Sequence, residues 1–208
     1  METPSVTTKT PLGVPVGLYR VAVSPWLICP LYLVVLAWLL VSLWRSGLSW
    51  GRGGALVVLG AMLVTFLEYL LHRFLLHGVR ARVFFVEIHR RHHAFPNELL
   101  YAAVPLPTSL LLLGASAAAV YGVSGSREAS LAVALGLVVG YLFHELTHYR
   151  IHHAKPRTVI GRWLTDNHLL HHHRDPRHNY GFSTSLWDHV LRSYRAPGEA
   201  AQAKRHGR

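Results

Sequence analysis

The sequence is poor in the residues that build most soluble domains. Only 15% of its 208 residues are charged, and ten of them are acidic, whereas 51% are hydrophobic. Its one cysteine, Cys29, lies inside an apolar run, which excludes a disulfide framework and disfavours a thiolate metal site. So small a fraction of charged residues together with so large a fraction of hydrophobic residues is typical of a membrane protein.

The charge that is present is strongly basic, with a formal net value of +11. Such a balance suits either nucleic-acid binding or a membrane protein with a basic cytosolic face. The long apolar runs favour the second interpretation. The basic tail also lacks a basic motif interleaved with aromatic residues, so no nucleic-acid partner is predicted.

Four apolar runs are long enough to cross a bilayer at about 1.5 Å per residue. They cover residues 26–44, 54–71, 99–122 and 129–147, within one predicted domain over 26–195. Residues 1–25 form a predicted N-terminal arm, whose four prolines disfavour a long helix, and residues 196–208 a basic tail. The arm has no apolar stretch followed by a small-residue cleavage site, so we expect no removed signal peptide.

Histidine is the outlying residue, because 14 of the 16 histidines fall within residues 72–93 and 144–178. Helix positions i, i+3 and i+4 share one face, so His89, His92 and His93 are expected to point at one centre. The same spacing recurs over residues 168–172. His148 and His152 also share a face.

His72 and His77 are the exception, because they are five residues apart. On an ideal helix that spacing separates two side chains by roughly 140°. The two rings can therefore converge only if the helix ends or is distorted there.

The basic residues predict on which side of the membrane these histidines lie. With an inner N-terminus and four spans, 18 Lys and Arg fall inside, and only Arg45, Arg52 and Arg127 fall outside. This agrees with the positive-inside rule. Both histidine-rich stretches then lie on the cytosolic side, each at the end of an even-numbered span.

Ten histidines in these groups exceed the six ligands of an octahedral ion, so two ions sharing them is the simplest arrangement. Imidazole suits Fe, Zn, Cu and Ni, and the absence of thiolate argues against a structural zinc site. Four nearby carboxylates are candidates to hold the outer ring nitrogens, and His153 is expected to supply a hydrogen bond. These carboxylates are Glu68, Glu145, Asp166 and Asp175, of which the first two could equally be ordinary helix-end residues.

Two motifs resemble the fatty acid hydroxylase superfamily, which includes sterol desaturases, carotenoid hydroxylases and fatty acid 2-hydroxylases. They are Glu68-Tyr-Leu-Leu-His72-Arg-Phe-Leu-Leu-His77 and His89-x-x-His92-His93. Glu145-Leu-Thr-His148-Tyr149 is most similar to the fatty acid 2-hydroxylase branch, although this chain has His144-Glu145 where that branch usually has Tyr-Asp. The resemblance covers residues 55–195.

The resemblance implies an all-α integral membrane fold, in which four transmembrane helices carry a cytosolic helical cap. It also implies a dinuclear iron centre that uses O2, with zinc as a possible replacement in purified protein. Without a fused cytochrome b5 domain, electrons would come from a separate cytochrome b5 or ferredoxin-type donor. The family's metal ligands carry over to His72, His77, His89, His92, His93, His148, His152, His168, His171 and His172.

The first functional hypothesis is hydroxylation of a fatty acyl chain, because a redox metal with O2 can break an unactivated C–H bond and side chains alone cannot. The lipid would enter from the bilayer past Tyr69, Tyr101, Tyr141 and Tyr149. A carotenoid or sterol substrate, hydroxylated or desaturated, is the alternative. A membrane metal transporter is a third hypothesis, disfavoured because the histidines lie at span ends. The membrane would be the inner membrane of a bacterium or the endoplasmic reticulum of a eukaryote.

Overall fold

The computed structural model describes residues 16–79 and 83–196, most of which are helical. The helices are α1 (Val16–Ala22), α2 (Pro25–Arg45), α3 (Trp50–Leu70), α4 (Phe84–Ala94), α5 (Leu99–Ala102), α6 (Leu106–Ser124), α7 (Arg127–His153), α8 (Val159–His173) and α9 (Leu186–Val190). A π-helical segment, Leu71–Leu76, continues α3. Residues 1–15 of the predicted arm and residues 197–208 of the predicted tail lie outside the described residues.

Four helical stretches are long and apolar enough to cross a membrane. They are Gly17–Arg45, Trp50–Leu76, Leu99–Ser124 and Arg127–His153, and each contains one predicted run. The predicted all-helical fold with four spans is therefore confirmed. The fourth stretch extends six residues past its predicted end at 147, so one helix carries both the last span and the histidines that follow it.

The third stretch is broken between α5 and α6, where the sequence has Pro105 and Pro107. Pro105 has no N–H to continue a helix and disfavours a helical conformation at Val104 before it, and the backbone is already extended at Ala103. Polar backbone groups at this break need partners from elsewhere, because a bilayer offers none. Both partners come from α7, as described below.

Glycines let α3 and α7 approach until their backbones touch. A Cβ on Gly60 would lie 2.2 Å from the Val133 carbonyl oxygen, and one on Gly136 would lie 2.0 Å from that of Val57. Small residues at such positions are typical of membrane helix pairs, since van der Waals contact replaces the hydrophobic effect there. This contact fixes the positions of the two helices that carry histidines out of the membrane.

Residues 174–193, which we call the closing segment, dock on the end of α3 through side-chain hydrogen bonds. The indole N–H of Trp187 donates to Thr65 at 2.9 Å, and the Tyr69 hydroxyl lies 2.7 Å from that of Ser193. Arg73 donates to a carbonyl oxygen of the same segment at 3.1 Å. The closing segment therefore covers the region where the histidines converge.

Candidate metal centre

Ten histidine rings meet near the C-terminal ends of α3 and α7. They are the ten that were predicted as metal ligands. They form two groups, and the candidate ligand atoms of each group all lie within 4.8 Å of one another. Group one is His72, His77, His89, His93 and His171, and group two is His92, His148, His152, His168 and His172. The rings of His93 and His172 stack with centroids 4.2 Å apart, so the groups are adjacent.

The π-helical segment explains how His72 and His77 reach the same group. Its backbone bonds join residues five apart, and the His77 N–H donates to the His72 carbonyl at 3.1 Å. Side chains at i and i+5 therefore align, as they do not on an α-helix. The expected distortion is present, at a kind of site where π-helical turns are frequent.

The histidines of α4 and α8 divide between the two groups, which corrects the prediction that each triplet points at one centre. On α4, His89 and His93 belong to group one and His92 to group two. On α8, His168 and His172 belong to group two and His171 to group one. Residues four apart differ by only about 40° around a helix, whereas consecutive residues differ by 100°. Each helix therefore directs one line of side chains to group one and the adjacent line to group two.

Two rings of group one are held by backbone carbonyls of the closing segment. His72 donates from Nδ1 to the Tyr180 carbonyl at 2.5 Å, and His171 donates from Nδ1 to that of His178 at 2.8 Å. Because a carbonyl only accepts, the ring proton must lie on Nδ1. The lone pair of Nε2 is then directed into the group.

In group two, His148 is held in the same way by the break in the third span. Its Nδ1–H donates to the Ala102 carbonyl at 3.0 Å, and two residues later the Val104 N–H donates to Glu145 at 3.1 Å. Glu145 was predicted to bind a ring nitrogen directly. Instead it binds the loop whose carbonyl accepts from His148.

Glu68 also lies one step further out than predicted. One of its oxygens accepts from the backbone N–H groups of Phe182 and Ser183, at 2.8 and 3.1 Å. The other accepts from Nδ1 of His144 at 3.0 Å. This buried carboxylate joins α3, α7 and the closing segment.

Of the remaining residues that were predicted to support the ligand rings, one lies close to them and two do not. Asp175 is buried and accepts from His178 Nδ1 at 3.0 Å, so it orients the residue whose carbonyl holds His171. Asp166 is exposed, because it lies two residues and about 200° away from His168 on α8. His153 is also exposed, and its ring stacks on Tyr149. The structure brings neither Asp166 nor His153 to the rings.

The spacing of the ring nitrogens fits a metal ion in each group. Within each group, neighbouring Nε2 atoms lie 2.9 to 3.1 Å apart. Two imidazole nitrogens that bind one ion at about 2.1 Å and at right angles lie about 3.0 Å apart. Each Nε2 carries at most one proton, so the three contacts of His89 cannot all be hydrogen bonds, whereas a cation would satisfy all of them. Both nitrogens of His172 are buried without a hydrogen-bond partner in the described part of the chain.

Burial keeps these rings neutral, which is the form that binds metal. It lowers the pKa of His77 to about 4, and burial together with neighbouring imidazoles lowers the pKa of His93 to about 4. The pKa values of His89, His168 and His171 fall well below the ordinary range for the same two reasons. The lone pairs are thus available at neutral pH.

An apolar cavity of about 460 Å³ ends on rings of both groups. Its walls come from the third span, from α3 with its π-helical extension, and from α4. Leucines line much of it, at positions 71, 75, 76, 111 and 112. The histidines at its end are His72, His89, His92, His148 and His168, with His144 beside them.

Of the four tyrosines predicted to line a lipid route, Tyr101 lines this cavity. Tyr69 is fully buried against the closing segment, and Tyr141 packs against Tyr32 with ring centroids 4.8 Å apart. Tyr149 is exposed beside His153. Phe182 also lines the cavity and was not predicted, because an aromatic residue in a loop has no helical period.

Comparison with known proteins identifies the family. The model of the fatty acid hydroxylase family matches residues 57–193. This chain belongs to the fatty acid hydroxylase family.

Named relatives agree with this assignment. Dihydroceramide fatty acyl 2-hydroxylase FAH2 of Arabidopsis thaliana is 31% identical over 185 residues, which are 86% of this chain and 76% of the relative. Fatty acid 2-hydroxylase of Homo sapiens is 29% identical over 146 residues, 65% of this chain and 38% of the relative. Full-length Scs7p, solved with only its hydroxylase domain visible, has the same fold, with a TM-score of 0.73 at 23% identity over 83% of this chain and 67% of that chain.

As a member of the fatty acid hydroxylase family, the protein is an enzyme that hydroxylates lipids, and it resembles the fatty acid 2-hydroxylases. The histidine groups and the family together indicate that it uses metal. Its four apolar stretches indicate a multi-pass membrane protein.

Proposed function

We propose that this hydroxylase inserts one oxygen atom into the acyl chain of a ceramide-type lipid, at the carbon next to the carbonyl. The substrates in the names of the Arabidopsis relatives support this choice of lipid. The apolar cavity that ends on both histidine groups is the observation that carries the proposal. An acyl chain is the part of a membrane lipid that fits such a cavity.

The cavity walls would bind and orient the acyl chain. Leu111 and Leu112 come from the third span, and Leu71 and Leu75 come from the π-helical extension of α3, so apolar side chains would line the path of an acyl chain from the bilayer to the rings. Filling this space with hydrocarbon excludes water from the reacting carbon. The polar head of the lipid would stay near the membrane surface.

Each histidine group would hold one iron ion through its imidazole nitrogens. Bound iron supplies the redox chemistry with O2 that an unactivated C–H bond requires. The backbone carbonyls that accept from His72, His148 and His171 keep those rings in the tautomer that presents Nε2. Electrons would come from a separate donor of the cytochrome b5 or ferredoxin type, and zinc could replace iron in purified protein.

The site is proposed to face the cytosol. The distribution of Lys and Arg supports this orientation, because the rings gather at the end of the bundle that the positive-inside rule assigns to the inner side. The enzyme would then lie in the inner membrane of a bacterium or in the endoplasmic reticulum of a eukaryote.

Lipid analysis of a host that expresses the enzyme tests the proposal. Mass spectrometry should find acyl chains that carry one extra oxygen at the carbon next to the carbonyl, and a His92→Ala variant expressed at the same level should not produce them. An extra oxygen on a ring-bearing isoprenoid, with unchanged acyl chains, would contradict the proposal and favour the carotenoid or sterol alternative.

A further inference from the structure

The first two turns of α8 carry apolar side chains that the described part of the protein leaves uncovered. Val159, Ile160 and Trp163 are 73%, 70% and 39% exposed. With 100° between consecutive residues, the three side chains fall within an arc of about 100° around the helix. Further along α8 the same arc contains Asn167 and Leu170, which are both buried. The helix therefore begins before the residues that cover this face, and its first turns leave the face open.

Three cationic side chains border this apolar face. Lys155 and Arg157 precede α8 and Arg162 lies on it, and all three are exposed. Within residues 16–79 and 83–196, none of the three forms a salt bridge, and Asp166 is the only acidic residue on α8. An exposed apolar face bordered by cations, with a tryptophan among its side chains, is typical of a helix in the interfacial region of a membrane.

The contact between α8 and the last span places α8 close to the membrane surface. Phe143 and Leu146 are exposed apolar residues on one face of α7. Arg150 is the next exposed residue on that face, so α7 leaves the hydrocarbon between Leu146 and Arg150. Leu164 of α8 packs in one cluster with Ile151, five residues or about 7.5 Å past Leu146. The headgroup region is about 5 to 8 Å thick on each side of a bilayer, so α8 lies at its level.

We propose that the first two turns of α8 insert into the headgroup region of the membrane, on the side where the histidine groups lie. The apolar face enters between the lipids, and the three cations bind the phosphates of anionic phospholipids. Because α8 supplies His168 and His172 to group two and His171 to group one, the membrane anchors a helix that contributes to both groups. This inference does not depend on which lipid is hydroxylated.

Quenching of a fluorophore on α8 tests this contact in the full chain. Cys29 is the only cysteine, so a Cys29→Ser background allows one new cysteine to carry an environment-sensitive label. Ile160→Cys places the label on the exposed apolar face. Asp166→Cys, about 120° away around the same helix and also exposed, is the matched control. Both labelled proteins are reconstituted in nanodiscs of phosphatidylcholine and phosphatidylglycerol.

The label at position 160 should be quenched by a nitroxide attached to the lipids near the headgroup, and it should be protected from iodide in the water. The label at position 166 should show the opposite pattern. Equal quenching by iodide at both positions would show that the apolar face lies in water. Protection of position 160 from both quenchers would show that protein covers the face, as in contact with a second copy. Either result would overturn the proposal.

Nanodiscs of phosphatidylcholine alone test the role of the cations. Without the anionic lipid, the ratio of nitroxide quenching to iodide quenching at position 160 should fall by at least about fivefold, the effect of one cation at an anionic surface. A triple variant of the same labelled protein should give the low ratio in both kinds of nanodisc. Its substitutions are Lys155→Gln, Arg157→Gln and Arg162→Gln.

The matched control for this variant removes the same number of charges at the opposite end of the bundle. Its substitutions are Arg45→Gln, Arg52→Gln and Arg127→Gln, at the ends of α2, α3 and α7 that are remote from the histidines. It should respond to phosphatidylglycerol as the unsubstituted labelled protein does. A response that survives in the first triple variant, or is lost in the control, would contradict headgroup binding by the cations beside α8.

Discussion

The two histidine groups contain the same number of imidazoles but are supported differently. In group one, His72 and His171 each donate to a carbonyl of the closing segment. In group two, only His148 has such a bond, while Nδ1 of His92 and of His168 is buried without a partner among the described residues. Backbone hydrogen bonds thus orient two rings of group one but one ring of group two, in which two further rings are held by packing.

The aromatic packing partner of group two is Phe182, which lies closer to rings of this group than to His72 of group one, whose centroid is 6.2 Å away. Its ring stacks on His148 at a centroid distance of 4.4 Å and meets His168 edge-on at 5.1 Å. Stacking restrains the tilt of a ring less strictly than a hydrogen bond does. We therefore expect the rings of group one to be ordered before metal binds, and the rings of group two to depend more on the bound ion for their order.

The largest effect should come from separating the helices that contribute to only one group each. The π-helical extension of α3 supplies group one alone and α7 supplies group two alone, so their glycine contact sets the distance between the groups. Gly136→Leu would drive a side chain into the Val57 carbonyl, and we expect no folded protein on size-exclusion chromatography in detergent. Gly114→Leu, on α6 with open space at its Cβ, should behave as wild type. A folded, active Gly136→Leu protein would refute the contact.

Loss of one ligand from either group should abolish hydroxylation, although the groups are supported differently. His171→Ala removes a ring from group one and His92→Ala one from group two. Substituting a residue that only hydrogen-bonds to a metal ligand lowers metal affinity or activity by about 10- to 100-fold. Each of these variants should therefore form at least about 100-fold less hydroxylated lipid per unit of protein. His189→Ala is the control. If one variant kept wild-type activity, the group that it belongs to would be unnecessary.

Asp175→Ala should weaken group one alone. Asp175 accepts from His178 and from Arg195, and so holds the loop whose carbonyl orients His171. We expect one of two ions to be lost to a chelator at about tenfold lower concentration. Asp166→Ala, at an exposed carboxylate on α8, should titrate as wild type. Equal weakening of both ions would mean that the loop supports the two groups together.

The smallest effect is expected from Phe182→Leu, which keeps apolar volume but removes the stacking on group two. Aromatic pairs contribute about 1 kcal/mol, so one ion should bind about fivefold more weakly in the same chelator titration. Phe66→Leu removes a ring that stacks on Trp187 and should leave both ions unaffected. A weaker ion in group one would contradict the different roles assigned to hydrogen bonding and packing.

Much of this site follows from the sequence, because histidine spacing and apolar runs are local properties. The spacing of His72 and His77 required the helix either to end or to be distorted there, and the π-helical segment is the second of these alternatives. The division of His92 from His89 could not be predicted, because it depends on how α4 is rotated against its neighbours. The carbonyls that accept from His72 and His171 could not be predicted either, since every residue has a carbonyl and its direction depends on the fold.

The number of metal ions per chain tests the central claim most directly. Elemental analysis of active enzyme purified in detergent should find two ions per chain in the wild type. It should find about one in His171→Ala and about one in His92→Ala. Active wild-type enzyme with a single ion, or two ions retained in both variants, would contradict the assignment of one ion to each group.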